Sequence, residues 1–172
     1  SIVVANFENA NDVAKEFLFP RAIRFLSQRK ESVHEIIQWG IKQALKSKTA
    51  AALFCDFCRA QATECYRAGN FQNGKLYLDA LEKFRPFDSL AFRFDLLEKA
   101  QDWQEIYKLI SCIFCTNNSW RRQFQLAENQ LQKLLDRNDD FATNHLPKLI
   151  RDTQNHSLLT ILARHEIQKN QD

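Results

Sequence analysis

Two Cys-x-x-Cys pairs, Cys55-Asp56-Phe57-Cys58 and Cys112-Ile113-Phe114-Cys115, have the spacing in this chain best suited to chemistry. Four thiolates presented as two such pairs can fill a tetrahedral zinc site. The context argues otherwise: both pairs lie in phenylalanine-containing apolar runs without a glycine turn. There cysteine behaves as a small hydrophobe, so core packing without bound metal is expected of Cys55, Cys58, Cys112 and Cys115. A thioredoxin-like redox reading would also need alternating strands and helices, a pattern the sequence lacks. The four histidines, His34, His145, His156 and His165, are scattered and form no His-Glu-x-x-His run. No base is marked out for a cysteine nucleophile, and the three glycines are isolated, so no phosphate-cradling loop is formed. The sequence therefore points away from an enzyme and implies no cofactor.

Cations form the other candidate sites. Arg21, Arg24, Arg29 and Lys30 make one cluster, and Lys42, Lys46 and Lys48 make a second near Trp39. Interleaved basic and aromatic side chains can bind a phosphate backbone. Glu16, Glu31 and Glu35 interrupt the charge, however, and a net charge of +3 is too weak to argue for nucleic acid. Solvated helix faces are the plainer reading, with an acidic protein partner ahead of nucleic acid.

The elements that position these residues read as helices. At 172 residues, with 45% apolar and 26% charged residues, the chain can bury a real core and is not disordered. Three glycines and three prolines are too few for the turns of a sheet protein this long. No run of eighteen apolar residues marks a transmembrane span. Five cysteines embedded in helical runs favour a reducing compartment, cytoplasmic or nuclear. The absence of methionine suggests a fragment of a longer protein, read here as one helical-repeat domain over 1–172.

Apolar periodicity gives eight to ten helices with short connections. Asn9 or Asn11 caps a helix running to Phe19, where Pro20 breaks or kinks the pattern. Residues 1–8 read as a short apolar stub. Ser32 and Glu35 fit a capping box, opening a helix to about Ser47 in which Gly40 suggests a narrow gap between helices. Thr49 suits the next cap, and Asp88 suits a cap for a helix over Ser89–Ala100. Ser119 starts a long amphipathic pattern with Trp120, and Asn138-Asp139-Asp140 breaks it. Pro147 falls inside the following segment.

The stretch Gln61 to Ile110 carries an internal repeat. A polar break precedes an aromatic residue twice, as Ala68-Gly69-Asn70 before Phe71 and Ala100-Gln101-Asp102 before Trp103. Ala80 occupies a small-residue position, and Phe84 and Pro86 close the unit. The two aromatics lie 32 residues apart, against roughly 34 in a tetratricopeptide unit. This segment resembles a tetratricopeptide-type (TPR-like) repeat, with Gly74 where the family usually has alanine. The resemblance implies an all-α, right-handed α-solenoid of antiparallel helix pairs that binds other proteins. It also implies that Phe71, Ala80, Phe84, Leu97 and Trp103 are buried between helices.

The expected function is non-catalytic protein–protein interaction within a larger assembly, by binding a partner segment on the repeat surface. Arg21, Arg24, Lys42, Lys46, Arg121 and Arg122 are the candidate contact cations, with Tyr77 and Tyr107 as aromatic anchors. The partner expected is an acidic or mixed acidic–apolar protein segment, with homo-oligomerisation left open. A nucleic-acid-binding module using the basic N-terminal helices and a zinc-stabilised helical domain are the alternatives.

Overall fold

The computed structural model describes residues 2–28, 32–116, 121–137, 140–153 and 156–169. Arg29, Lys30, Glu31, Ser119, Trp120, Asn138 and Asp139 lie outside them. The described residues form ten α-helices and no strand. These are α1 Ile2–Asn9, α2 Asp12–Gln28, α3 Val33–Ala44, α4 Lys48–Arg67, α5 Phe71–Glu82, α6 Pro86–Lys99, α7 Trp103–Cys115, α8 Arg121–Asp136, α9 Asp140–Thr153 and α10 His156–Lys169. The chain divides into two compact units, Ser1–Ser89 and Leu90–Asp172.

In the first unit α4 is the central element, packing on α2, α3 and α5, while α1 packs on α2. Phe7, Phe19, Ile36, Ile37, Phe54, Leu78 and Leu81 are buried there. The close approach of α3 and α4 depends on Gly40: a Cβ at that position would run into the ring of Phe54, which is wholly buried. The narrow gap read from the sequence is therefore real, and an aromatic ring fills it. Glycine serves a similar end at position 74, where a Cβ would come within 2.6 Å of the Tyr66 ring. Alanine at that position would require the Tyr66 ring to shift.

Caps decide where these helices begin. Ser32 and Glu35 form the capping box: the Glu35 amide donates to Ser32 Oγ at 3.2 Å, and the Ser32 amide donates to Glu35 Oε2 at 2.7 Å. Asn11 caps α2, accepting from the Ala14 amide at 2.9 Å. Several boundaries differ from expectation. The cap of α4 is Ser47, which accepts from the Ala50 amide at 3.1 Å, and Thr49 is already helical. The N-terminal stub is itself the helix α1. Pro20 does not end α2 but lies within it. Its nitrogen carries no proton, so it cannot donate to the Glu16 carbonyl. Pro86 opens α6, and Asp88 sits in its first turn rather than capping it.

The second unit begins at Leu90, within α6. Substantial packing joins α7 with α8 and α9, α8 with α9 and α10, and α9 with α10. Its buried residues include Phe94, Leu97, Ile106, Ile110, Leu131, Leu135, Leu146 and Leu158.

Candidate functional site

The thiols separate by exposure. Cys55 and Cys58 point into the core of the first unit, both essentially without solvent contact. Burial pushes both thiols up from their ordinary range, so neither is a ready thiolate. Cys65 is half-buried, and burial raises it too. Cys112 and Cys115 are exposed on the last turn of α7, which corrects the expectation that they pack in a core. The stripe of α7 is Ile106, Ile110, Ile113 and Phe114, and the two cysteines fall beside it. Among the described residues, no group of three or more His, Cys, Asp or Glu side chains is placed to hold a metal ion.

Of the expected aromatic anchors, Tyr77 is buried and Tyr107 half-buried. Tyr77 is only 4% exposed, its ring set edge-on against Phe57 at 5.7 Å. With Gly74, Leu78 and Leu81 it occupies the buried stripe of α5, a spacing that the sequence already contained. Burial holds its phenol up at about 12. Tyr107 is half-buried on α7 and donates to the His145 carbonyl at 2.9 Å. Burial is the main cause that raises its phenol as well.

The expected cations lie at the surface. Arg21, Arg24, Lys42, Lys46, Arg121 and Arg122 are all exposed. Lys46 is committed locally, donating to Gln43 Oε1 at 3.2 Å and lying 3.9 Å from Glu8. Gln43 is buried and donates to the same Glu8 carboxylate at 2.8 Å, tying α3 to α1. Among the described residues no ion pair engages Arg21, Arg24, Lys42, Arg121 or Arg122. Arg21, Arg24 and Lys42 belong to the first unit, and Arg121 and Arg122 to the second.

Large apolar side chains were not singled out as a surface feature, yet several are exposed: Val13, Phe17, Leu45, Phe71, Leu76 and Phe87 in the first unit, Leu159 and Ile167 in the second. Phe71 was expected to be buried but is 46% exposed. It is the first residue of α5, with the Tyr66 ring set edge-on 5.3 Å away. Ala80 and Leu97 are buried as expected, while Phe84 and Trp103 are half-buried. Phe84 meets Phe54 edge-on at 6.0 Å, and the Arg137 guanidinium lies 4.2 Å from the Trp103 ring centre.

No family model, curated protein or solved structure matches this chain. No helix among the described residues is long and apolar enough to cross a membrane.

Proposed function

We propose that the chain is a non-catalytic, protein-binding helical-repeat module of the TPR-like, right-handed solenoid type, acting within a larger assembly. The observation that carries this reading is the set of large apolar side chains left in solvent on helices whose opposite faces are already buried. Scattered exposed apolar residues are ordinary, but groups of them beside free cations mark interaction surfaces. The packing order supports the repeat. In both units the substantial contacts join helices one or two places apart in the chain, as in stacked helix pairs, although α6 and α7 do not form such a pair. An acidic or mixed acidic–apolar segment suits the arginines that are not ion-paired among the described residues, whose planar forks match carboxylates.

Selection of a displayed random-peptide library on the immobilised protein tests this. Saturable binders enriched in acidic and apolar residues are expected. A library without saturable binders, together with oligonucleotide binding that falls steeply with salt, would replace the reading with a nucleic-acid module.

A further inference from the structure

We propose that the outer stripe of α2 is a docking site for an amphipathic, acidic helix of a partner protein, seated on Val13 and Phe17 and held by Arg21 and Arg24. This deepens the protein-binding reading and rests on it. The opposite side of α2 is anchored in the core through Phe19, Ala22 and Ile23. Val13, Phe17, Arg21 and Arg24 recur at three- and four-residue steps, so they share the outward face. The two apolar side chains are 69% and 71% exposed, and both arginines are exposed. Pro20 lies on the same face and is exposed.

The layout fixes the chemistry of the occupant. The apolar pair forms one end of the stripe and the cations the other, their centres about 11 Å apart along the axis at the rise of an α-helix. A partner helix meets such a ridge with apolar residues four apart, then carboxylates one to two turns beyond them. A second copy laid antiparallel offers only Glu16, which would meet Arg21 and leave each Arg24 without a carboxylate. It would also set Val13 and Phe17 against arginines. Charge complementarity therefore favours a different, acidic chain. Asp12, which carries the nearest carboxylate on α2 before Val13, is already engaged by Lys15 and Ser47. Glu16 flanks the stripe and repels acidic groups on that side, which biases a partner toward the arginine edge.

The test uses two synthetic helical peptides, each with two leucines four apart. One carries glutamates seven and eleven residues after the first leucine, and the other carries lysines there. Both are titrated by fluorescence anisotropy against the wild-type chain, Phe17→Ser and the double variant R21E/R24E, with circular dichroism checking the fold. Wild type should bind the glutamate peptide at least tenfold tighter than the lysine peptide. The double variant should reverse that preference, and Phe17→Ser should weaken the glutamate peptide about tenfold or more. Equal affinity of all three proteins for both peptides overturns the site. So does self-association of the wild type that Phe17→Ser abolishes, because the occupant is then a second copy. Library-selected peptides run against the same variants separate the two claims. Selected binders indifferent to every α2 change overturn this site and leave the protein-binding reading standing; a library with no binders overturns both.

Discussion

Gly40 sits in the middle of α3, where glycine costs a helix up to about 1 kcal/mol relative to alanine. Here the sign reverses, because the Phe54 ring occupies the space a methyl would need. Gly40→Ala should destabilise the fold by about 1–3 kcal/mol, as overpacking does. Phe54→Leu in the same chain should recover part of that loss, measured by urea denaturation. Exposure likewise sorts the five thiols. An aromatic disulfide reagent should modify Cys112 and Cys115 quickly in the native protein, while Cys55 and Cys58 react only on unfolding. Equal rates for the two pairs would contradict their placement. Tyr77 ties its ionisation to the fold. Its phenol is raised from 10 to about 12, so the native state keeps its proton while the unfolded state loses it. The stability it contributes is complete below pH 10 and is lost as pH rises toward 12. Absorbance titration should show one tyrosine ionising late, together with unfolding. The periodicity of α5 made this burial readable, but weighing Tyr77 as a hot-spot residue type hid it. The exposure of Phe71 was not readable, since it depends on how little of the first turn of α5 is covered.

Among the elements, the two polar breaks of the sequence repeat turn out to be one structural motif used twice. After α4 the Asn70 amide donates to the Cys65 carbonyl at 2.8 Å and the Gly69 amide to the Tyr66 carbonyl at 3.2 Å. After α6 the Asp102 amide donates to the Leu97 carbonyl at 3.0 Å and the Gln101 amide to the Glu98 carbonyl at 3.1 Å. Both are the paired closing bonds of a Schellman turn. In each, the next residue then caps the following helix: Asn70 accepts from the Asn73 amide and Asp102 from the Glu105 amide. The turn needs a left-handed residue, which is Gly69 at φ 72° in one and Gln101 at φ 55° in the other. Gln101 has a Cβ there and Gly69 does not. Gln101→Gly should therefore stabilise the protein by about 0.5–1 kcal/mol, whereas Gly69→Ala should destabilise it by a similar amount. A loss of stability in Gln101→Gly would contradict the turn. Helix type and number were legible because apolar spacing at 3.6 residues is a strong signal. Caps were less so: Ser47 and Thr49 are both good capping residues, and only the backbone decides between them.

Across the described residues, no group of three or more His, Cys, Asp or Glu side chains could hold a metal ion, while cations and several large apolar side chains are exposed on the helices. Six cations could be named in advance because charged residues rarely go inside. Local commitments such as Lys46 with Gln43 and Glu8 could not, since they depend on which helices meet. Exposed Phe17 was equally hidden, because it falls among apolar residues that the same helix does bury. The division at Ser89 and Leu90 runs through α6 and carries no break in composition to announce it. The most direct test of the protein-binding account is titration calorimetry of a library-selected acidic–apolar peptide against the intact chain, at two temperatures and two salt concentrations. The account predicts saturable one-to-one binding with a negative heat-capacity change from apolar burial and only a modest loss of affinity at higher salt. Heat without saturation, or affinity confined to oligonucleotides and falling steeply with salt, would contradict it.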